Sequence, residues 1–329
     1  MSAARRTVHR VCTLCEATCG LSFEVEDNRI VQVRPDEDDP FSRGFACPKG
    51  IAIAKIHDDP DRLRTPVKRN AHGEFEPISW DEAFALAASG LARVRDAHGA
   101  QSVATYFGNP IIHNHGAVML RSAVMQAIGT RNNYGASSQD TSPRFGASYY
   151  LYGSALVTPV PDIDRTHYML CVGANPMVSN GSAMTAPDVK GRMRAIRERG
   201  GRIVIVDPRR TESVREADEH VAIRPGTDAG LLLGMAAILV RDGLARVDHV
   251  RRIASGWDEI ERRLRALDLD ACARATGVPL KTMFRLAREF AAAPSSVAYS
   301  RVGVCNGHFG TLATYDLIGV AGNRRRLPG

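Results

Sequence analysis

The chain has 329 residues, enough for two or three domains with sizeable cores, and 44% of them are hydrophobic while 24% are charged, as in an ordinary globular protein. Its longest apolar runs fall short of the ~20 residues that a membrane span needs, so membrane insertion is not expected. The net charge of +7 comes from scattered basic residues among only 6% aromatics, which disfavours nucleic-acid binding.

The first residues carry a possible export signal. Arg5-Arg6 would suit a twin-arginine signal, but no apolar segment follows before Cys12. We therefore expect a cytoplasmic protein, in which unpaired thiols stay reduced and available to metal.

Four cysteines dominate the N-terminal segment. They follow the pattern Cys12-x2-Cys15-x3-Cys19, and Cys47 comes after 27 more residues, followed at once by Pro48. Four thiolates from a tight loop and a distant return segment can close a metal or iron-sulfur site. The proline favours a 4Fe-4S cluster, because ferredoxin-type cysteine runs also end Cys-Pro. Structural zinc and disulfides remain the alternatives.

The segment between the third and fourth cysteines predicts a small folded module. Apolar and polar residues alternate over 21–25 and again over 31–33, and Asp27-Asn28 can form the turn between them. A β-hairpin here would carry Cys47 back toward the first three thiols. A short helix is predicted over 51–56, and residues 62–77 are interpreted as an irregular linker.

From Trp80 onward the pattern is that of repeated α/β units. Helices are predicted over 81–98, 115–128, 187–199, 227–242, 257–266 and 280–293. Strands are predicted over 102–107, 168–172, 203–206 and 297–300. Strand, helix and parallel strand make a right-handed crossover unit, so the predicted fold class is α/β, with doubly wound, Rossmann-like parallel-sheet domains after the small N-terminal module.

Ligands of open parallel sheets bind beyond the carboxyl ends of the strands, and three such ends here are polar or flexible. Gly173-Ala174-Asn175-Pro176 follows one strand, and Asp207 with Arg209 and Arg210 follows the next. Pro225-Gly226-Thr227-Asp228 then leads into a helix whose free N–H groups could bind a diphosphate. Asp207 as a turn former and Thr227 or Asp228 as an ordinary N-cap remain the alternatives.

Together these residues resemble the molybdopterin oxidoreductase family, whose members use molybdenum or tungsten bis(molybdopterin guanine dinucleotide). The matching motifs are the cysteine quartet ending Cys47-Pro48-Lys49-Gly50, Pro77-Ile78-Ser79-Trp80-Asp81-Glu82-Ala83, Gly173-Ala174-Asn175-Pro176, Val206-Asp207-Pro208-Arg209-Arg210-Thr211 and Pro225-Gly226-Thr227-Asp228. They occur in the family's order over nearly the whole chain.

The resemblance implies an oxidoreductase that exchanges two electrons with a small substrate at the metal and passes them singly through a 4Fe-4S cluster. Cys12, Cys15, Cys19 and Cys47 would ligate the cluster, and Lys49 would lie on the electron path to a pterin. The residues implied to hold one guanine dinucleotide are Gly173, Asn175, Pro176, Asp207, Arg209, Gly226, Thr227, Asp228, Arg301 and Gly303.

One departure from the family concerns the protein ligand of the metal. Many relatives use cysteine, selenocysteine, serine or aspartate, but this chain has no cysteine between Cys47 and Cys171, and Gly146 falls near the expected ligand. A formate dehydrogenase of the cysteine or selenocysteine type is therefore not expected. The candidate ligands are Asp140, Ser142 and Ser148, with a metal that has no protein ligand as the alternative.

The other departure is length, because family members continue into further domains and a C-terminal barrel. The last residues, 322–329, resemble an altered family motif that is then cut, so a fragment or one part of a split enzyme is expected. The predicted domains are a cluster domain at 1–60, the first part of a pterin-binding domain at 61–150 and a guanine-dinucleotide domain at 151–329. A redox partner or the missing C-terminal portion is the expected partner, and a non-catalytic electron-transfer fragment or a zinc-stapled binding protein are the alternative functions.

Overall fold

The computed structural model describes residues 4–322 of the chain. The chain divides into two compact units, Met1–Ala136 and Ser137–Gly329. The predicted C-terminal motif over 323–329 lies outside the described residues, and the three-domain division stays a prediction.

The first unit begins with a three-stranded antiparallel sheet in the order β1-β2-β3. Its strands are β1 (Arg6–Val11), β2 (Gly20–Glu26) and β3 (Arg29–Pro35). Asp27 and Asn28 make the turn between β2 and β3 with φ of +48° and +59°, a conformation that Asp and Asn tolerate well. The predicted hairpin is confirmed, and β1 adds a third strand to it.

The segment interpreted as an irregular linker instead contains a second hairpin. After α1 (Pro48–Ile51) and α2 (Ile53–His57), strands β4 (Val67–Arg69) and β5 (Phe75–Pro77) pair antiparallel. The Asn70 side-chain oxygen accepts hydrogen bonds from the backbone N–H groups of His72 and Glu74, both at 3.0 Å. This Asx-type turn closes the hairpin, so the linker interpretation was wrong.

The rest of the first unit is a small α/β segment. It contains α3 (Trp80–His98), β6 (Thr105–Phe107), α4 (His115–Ile128) and β7 (Asn133–Gly135), and β6 and β7 pair parallel. Ser79 caps α3 by accepting a hydrogen bond from the Glu82 N–H at 3.1 Å. Helices α3 and α4, which are both fully described, contain no buried residue.

The second unit is built on a four-stranded parallel sheet in the order β10-β9-β8-β11. Its strands are β8 (Tyr168–Val172), β9 (Arg202–Val206), β10 (Glu219–Val221) and β11 (Ser296–Ser300). Its helices are α5 (Ser142–Tyr152), α6 (Pro176–Ser179), α7 (Val189–Glu198), α8 (Asp228–Arg241), α9 (Val247–Ile253), α10 (Trp257–Ala266), α11 (Leu269–Thr276), α12 (Leu280–Ala292), α13 (Val302–Cys305) and α14 (Gly310–Gly322).

Alternate residues of the central strands enter two separate cores. Leu170 and Val204 pack with residues of α8 and α12 on one face of the sheet. Met169 and Ile203 pack with Met193 of α7 on the other face. Helices on both faces of a parallel sheet make a doubly wound fold, which confirms the predicted fold class.

Candidate functional site

Three of the four N-terminal cysteines lie on the loop that joins β1 to β2. Val11, the last residue of β1, pairs with Gly20, the first residue of β2. Next to this pair, the backbone N–H of Cys12 donates to the carbonyl oxygen of Cys19 at 2.8 Å. Thr18 has φ of +49°, which lets the chain double back before Cys19. A single tight loop therefore holds Cys12, Cys15 and Cys19.

Cys47 reaches this loop as the N-cap residue of α1. Pro48 follows in the first turn, where its missing N–H removes no helical hydrogen bond. The buried Gly50 packs toward the thiols, since a Cβ built on it would lie 3.5 Å from Cys12 Sγ. Burial raises the pKa of Cys12, the thiols of Cys15 and Cys47 raise it further, and the nearby cation of Lys49 lowers it.

The electrostatics of the four thiols call for a positively charged group among them. Burial raises the pKa of Cys19 to about 11, and the thiols of Cys12, Cys15 and Cys47 add to the shift. Several thiolates can share this small volume only if a cationic group holds them. All seven cysteines of the chain are free thiols.

A cluster fits this arrangement. Among residues 4–322, no group of three His, Cys, Asp or Glu side chains is placed to hold a single metal ion. A 4Fe-4S cluster needs no such group, because each of its four thiolates binds a different iron.

A polar clasp holds the returning segment against the cysteine loop. The buried Ser42 hydroxyl accepts a hydrogen bond from the Gly20 N–H at 3.0 Å and donates to Asp39 Oδ2 at 2.6 Å. The Asp36 N–H donates to the Gly20 carbonyl oxygen at 3.0 Å. Gly20 must be glycine here, because an added Cβ would lie 2.5 Å from Asp39 Cβ. Since Gly20 directly follows Cys19, the clasp fixes the path that delivers Cys47.

At the carboxyl ends of β8 and β9, the predicted residues Asn175 and Arg209 meet on one carboxylate. Asn175 Nδ2 donates to Glu212 Oε2 at 2.6 Å, and an Arg209 guanidinium N–H donates to the same oxygen at 3.2 Å. The Asn175 side-chain oxygen accepts from the Ser213 hydroxyl at 2.7 Å. Pro176 follows Asn175 as the first residue of α6 and is buried. Asn175 and Arg209, which are both predicted to bind a nucleotide, are thus held by one shared carboxylate, that of Glu212.

Asp207 lies at the end of β9 beside this network. Its Oδ1 accepts from the Arg209 backbone N–H at 2.8 Å, so it acts as a turn former as well as a candidate ligand. The negative charge of Asp207 also acts on Asp228. Burial raises the pKa of Asp228, and the charge of Asp207 raises it further. The charge of Asp207 at the end of β9 therefore acts on Asp228 at the start of α8.

Thr227 occupies the N-cap position of α8 without capping it. Its hydroxyl donates to the Arg224 carbonyl oxygen at 2.7 Å and makes no cap hydrogen bond to the helix. Gly226 precedes it with φ of +76° and has open space around it. The first N–H groups of α8 are therefore not covered by the Thr227 side chain, which suits an anion at this helix end.

A small cavity beside the end of β9 also suits a phosphate. It measures about 230 Å³ and is lined by Arg210, Thr211, Glu212, Val214 and Arg215. The Thr211 hydroxyl is buried and has no hydrogen-bond partner in the described part of the chain. Arginines and an unpartnered hydroxyl at the carboxyl edge fit the pyrophosphate of a dinucleotide.

The candidate metal ligands lie on or next to α5. Asp140 is half-buried with an unpartnered Oδ1, Ser148 is fully buried with an unpartnered hydroxyl, and Ser142 is exposed. Gly146, at the position expected for a ligand, has Thr311 of α14 so close that an added Cβ would lie 3.3 Å from Thr311 Cγ2. Helix α14 therefore packs closely against α5 at Gly146, where a side chain would have little room.

At the opposite, amino edge of the sheet, charged side chains pair with one another. Arg202 and Arg285 both bind Glu219 there, at 2.7 Å for Arg202 and more closely still for Arg285. Arg285 also binds Glu289 at 3.1 Å. These ion pairs join the starts of β9 and β10 to α12, whereas ligands of open parallel sheets bind beyond the carboxyl ends of the strands, so we place the candidate site at the carboxyl edge.

Sequence reasoning missed several residues of these sites. Glu212, Ser213, Asp39 and Ser42 were not predicted, although Glu212 follows the recognised run 206–211 directly. Arg301 and Gly303 follow the end of β11, with Arg301 as the N-cap residue of α13, and their contact with the cofactor stays a prediction.

Two family models match this chain. The model described as molybdopterin oxidoreductase matches residues 62–266, and the model of the molybdopterin oxidoreductase Fe4S4 domain matches residues 5–59. Together they span the cysteine module and most of the parallel-sheet unit.

Individual relatives are similar over nearly the whole chain. The chain is 26% identical to the F420-dependent formate dehydrogenase 2 subunit alpha of Methanococcus maripaludis, over 93% of this chain and 44% of the relative. It is also 26% identical to the assimilatory nitrate reductase catalytic subunit of Bacillus subtilis, over 94% of this chain and 43% of the relative. The chain thus spans less than half the length of these relatives.

A solved structure has the same fold. Acetylene hydratase from Pelobacter acetylenicus matches with a TM-score of 0.79 at 23% identity, over 95% of this chain and 42% of that one.

Within residues 4–322, no helix combines the length and apolar character needed to cross a membrane.

Proposed function

Because the chain belongs to the molybdopterin oxidoreductase family, we propose that it forms the cluster-bearing and nucleotide-binding portion of a molybdopterin-dependent oxidoreductase. Its cofactors are a 4Fe-4S cluster and a molybdenum or tungsten molybdopterin. When bound, these groups supply two-electron exchange with a small substrate and one-electron transfer onward. The observation that carries the proposal is the convergence of four free thiols from the β1–β2 loop and the start of α1.

In this proposal Cys12, Cys15, Cys19 and Cys47 hold the cluster. The support is their mutual electrostatic contact together with the Ser42 clasp, which fixes the returning segment. Lys49, exposed on α1, would lie on the electron path, because its cation acts on the Cys12 thiol. A fixed positive charge beside a cluster favours its reduced state.

The residues at the carboxyl edge would bind one guanine dinucleotide of a bis(molybdopterin guanine dinucleotide) cofactor. Asn175 and Arg209, held through Glu212, would present amide and guanidinium groups to the nucleotide. Asp207 would accept hydrogen bonds from a ribose or base, and Gly226, Thr227 and the start of α8 would receive phosphate. Gly173 and Gly303, whose backbones lie against each other, would hold the ends of β8 and β11 in place beside the cofactor.

For the metal itself we propose Asp140 or Ser148 as the protein ligand. Both keep a buried oxygen without a hydrogen-bond partner among the described residues, which would fit a bond to metal. Ser142 is exposed and less constrained. A sulfur or selenium ligand is not proposed, since Gly146 occupies the expected position.

We also propose that a further polypeptide covers the first unit, either a redox partner or a C-terminal portion like that of the longer relatives. Trp80 and Phe84 of α3 stack on each other and are 61% and 65% exposed, and Met119 and Leu120 of α4 are 78% and 64% exposed. Apolar patches of this kind mark interaction surfaces.

The test is substrate-dependent reduction of a viologen dye by the chain, expressed in a host that makes molybdopterin and purified without oxygen. Turnover with a small substrate, lost in Cys47→Ser and kept in Cys272→Ser, supports the proposal. Cys272 is a matched control because it is a buried thiol in α11 of the other unit. Bound pterin and iron without turnover on any substrate would favour the non-catalytic electron-transfer fragment instead.

A further inference from the structure

A second cavity lies in the parallel-sheet unit, where α5, α14 and the end of β11 meet. It measures about 220 Å³, and its polar lining groups come from Arg144, Tyr152, Tyr299, Ser300 and Thr314. That volume equals about seven water molecules, enough for a small anion and too little for a nucleotide.

Arg144 brings a buried positive charge to this cavity. It is only 9% exposed, and its guanidinium donates a hydrogen bond to the Pro159 carbonyl oxygen at 2.8 Å. No carboxylate within residues 4–322 forms an ion pair with Arg144 or Arg301. A buried charge without a counter-ion is costly, so this arrangement favours an anion from outside the protein.

The hydroxyl of Tyr299 adds a hydrogen-bond donor. It lines the cavity, is buried and donates its proton to no group among the described residues, while the guanidinium of Arg301 lies beside it. Burial raises the pKa of Tyr299 to about 12, so the phenol keeps its proton at neutral pH. The Thr314 hydroxyl already donates to the Gly310 carbonyl oxygen at 2.8 Å and cannot serve as a second donor. The free groups are therefore one cation and one O–H, which match the oxygens of an oxyanion.

We propose that this cavity is an oxyanion-binding site in which Arg144 supplies the positive charge and the Tyr299 hydroxyl a hydrogen bond. The inference rests on the proposed function only for the source of the oxyanion, which is a cofactor phosphate or a free small oxyanion such as nitrate. Arg301 follows β11 directly, so the site borders the carboxyl edge where the dinucleotide residues lie.

The experiment measures anion binding to the full chain without cofactor, by calorimetric titration with inorganic phosphate and, separately, with sodium nitrate. The parent chain should bind at least one of them, and Arg144→Gln and Tyr299→Phe should each weaken that binding at least tenfold. The matched control is Arg197→Gln, in the same unit, whose guanidinium is paired with Asp218 at 3.0 Å; it should bind like the parent.

Thermal melting in anion-free buffer separates this role from a structural one. Tyr299→Phe should melt at or above the parent temperature, because it removes a buried hydroxyl without a hydrogen-bond partner, whereas Arg144→Gln also loses the hydrogen bond to the Pro159 carbonyl oxygen. A parent chain that binds neither anion, or equal weakening in Arg144→Gln and Arg197→Gln, overturns the proposal. Binding of phosphate alone assigns the site to the cofactor, and tight binding of nitrate assigns it to a substrate. Neither result depends on turnover, so failure here is distinct from failure of the proposed function.

Discussion

The backbone N–H of Gly303 donates a hydrogen bond to the Gly173 carbonyl oxygen at 3.1 Å, and neither residue has room for a side chain. A Cβ on Gly173 would lie 2.8 Å from the Val304 backbone nitrogen, and a Cβ on Gly303 would lie 2.7 Å from the Gly173 oxygen. The contact ties the end of β8 to the turn after β11. The two neighbouring strand ends are therefore held at a fixed spacing at the proposed dinucleotide site.

Gly173→Ala should lower the free energy of unfolding by at least ~1 kcal/mol more than Gly200→Ala. Both glycines have positive φ, +57° and +80°, so both substitutions strain the backbone, but Gly200 has open space around it. Urea unfolding of the two variants makes the comparison. Equal losses would mean that the close approach to Val304 does not matter.

Ser42→Ala should loosen the cluster module. The substitution leaves the buried Gly20 N–H without its acceptor, a cost of about 1–3 kcal/mol. Because Gly20 adjoins Cys19, we expect faster loss of iron to a chelator, followed by visible absorbance. Ser22→Ala is the control, since the Ser22 hydroxyl bonds the ring of the exposed His9 and makes no hydrogen bond to Gly20, Asp39 or Ser42 among the described residues. Identical rates in both variants would argue against the clasp.

Much of this architecture could be predicted from the sequence. The apolar run 168–172 predicts a buried strand, and it forms the fully buried strand β8. The helix predicted over 257–266 is α10, which has the same bounds. Helix α5 was not predicted, because Pro143 and Gly146 make its sequence look like a loop. The contact between Asn175 and Glu212 joins residues 37 positions apart, so it depends on how β8 and β9 pair and cannot be inferred from local pattern.

Glu212 should titrate far below an ordinary glutamate. The hydrogen bond from Asn175 is the main cause that lowers the pKa of Glu212 to about 2, and Arg209 contributes. The stabilisation from this contact is therefore complete above the ordinary value of 4.5 and is lost as the pH falls toward 2. Carbon NMR of the carboxyl group should find Glu212 ionised at pH 4 in the parent, with a midpoint that rises toward 4.5 in Asn175→Ala but stays below it, because Arg209 and the Glu212 backbone N–H still lower the pKa. An unchanged midpoint in the variant would contradict this.

Substitutions at Gly146 and Thr311 should be coupled. Gly146→Ala gains helix propensity of up to about 1 kcal/mol, but its Cβ would press on Thr311 Cγ2 at 3.3 Å. Thr311→Ser removes that methyl group. We expect Gly146→Ala to stabilise the Thr311→Ser chain more than the parent chain, with a coupling above ~0.5 kcal/mol in a double-mutant cycle. Additive effects would mean that α14 does not restrict this position.

All of the proposed functions require the N-terminal cysteines to hold an iron-sulfur cluster. This can be tested by measuring the iron, sulfide, molybdenum, tungsten and zinc content of the chain purified without oxygen from a cofactor-producing host. We expect close to four irons and four sulfides per chain, together with molybdenum or tungsten, and loss of the iron in Cys47→Ser but not in Cys272→Ser. Zinc bound in place of iron would contradict it.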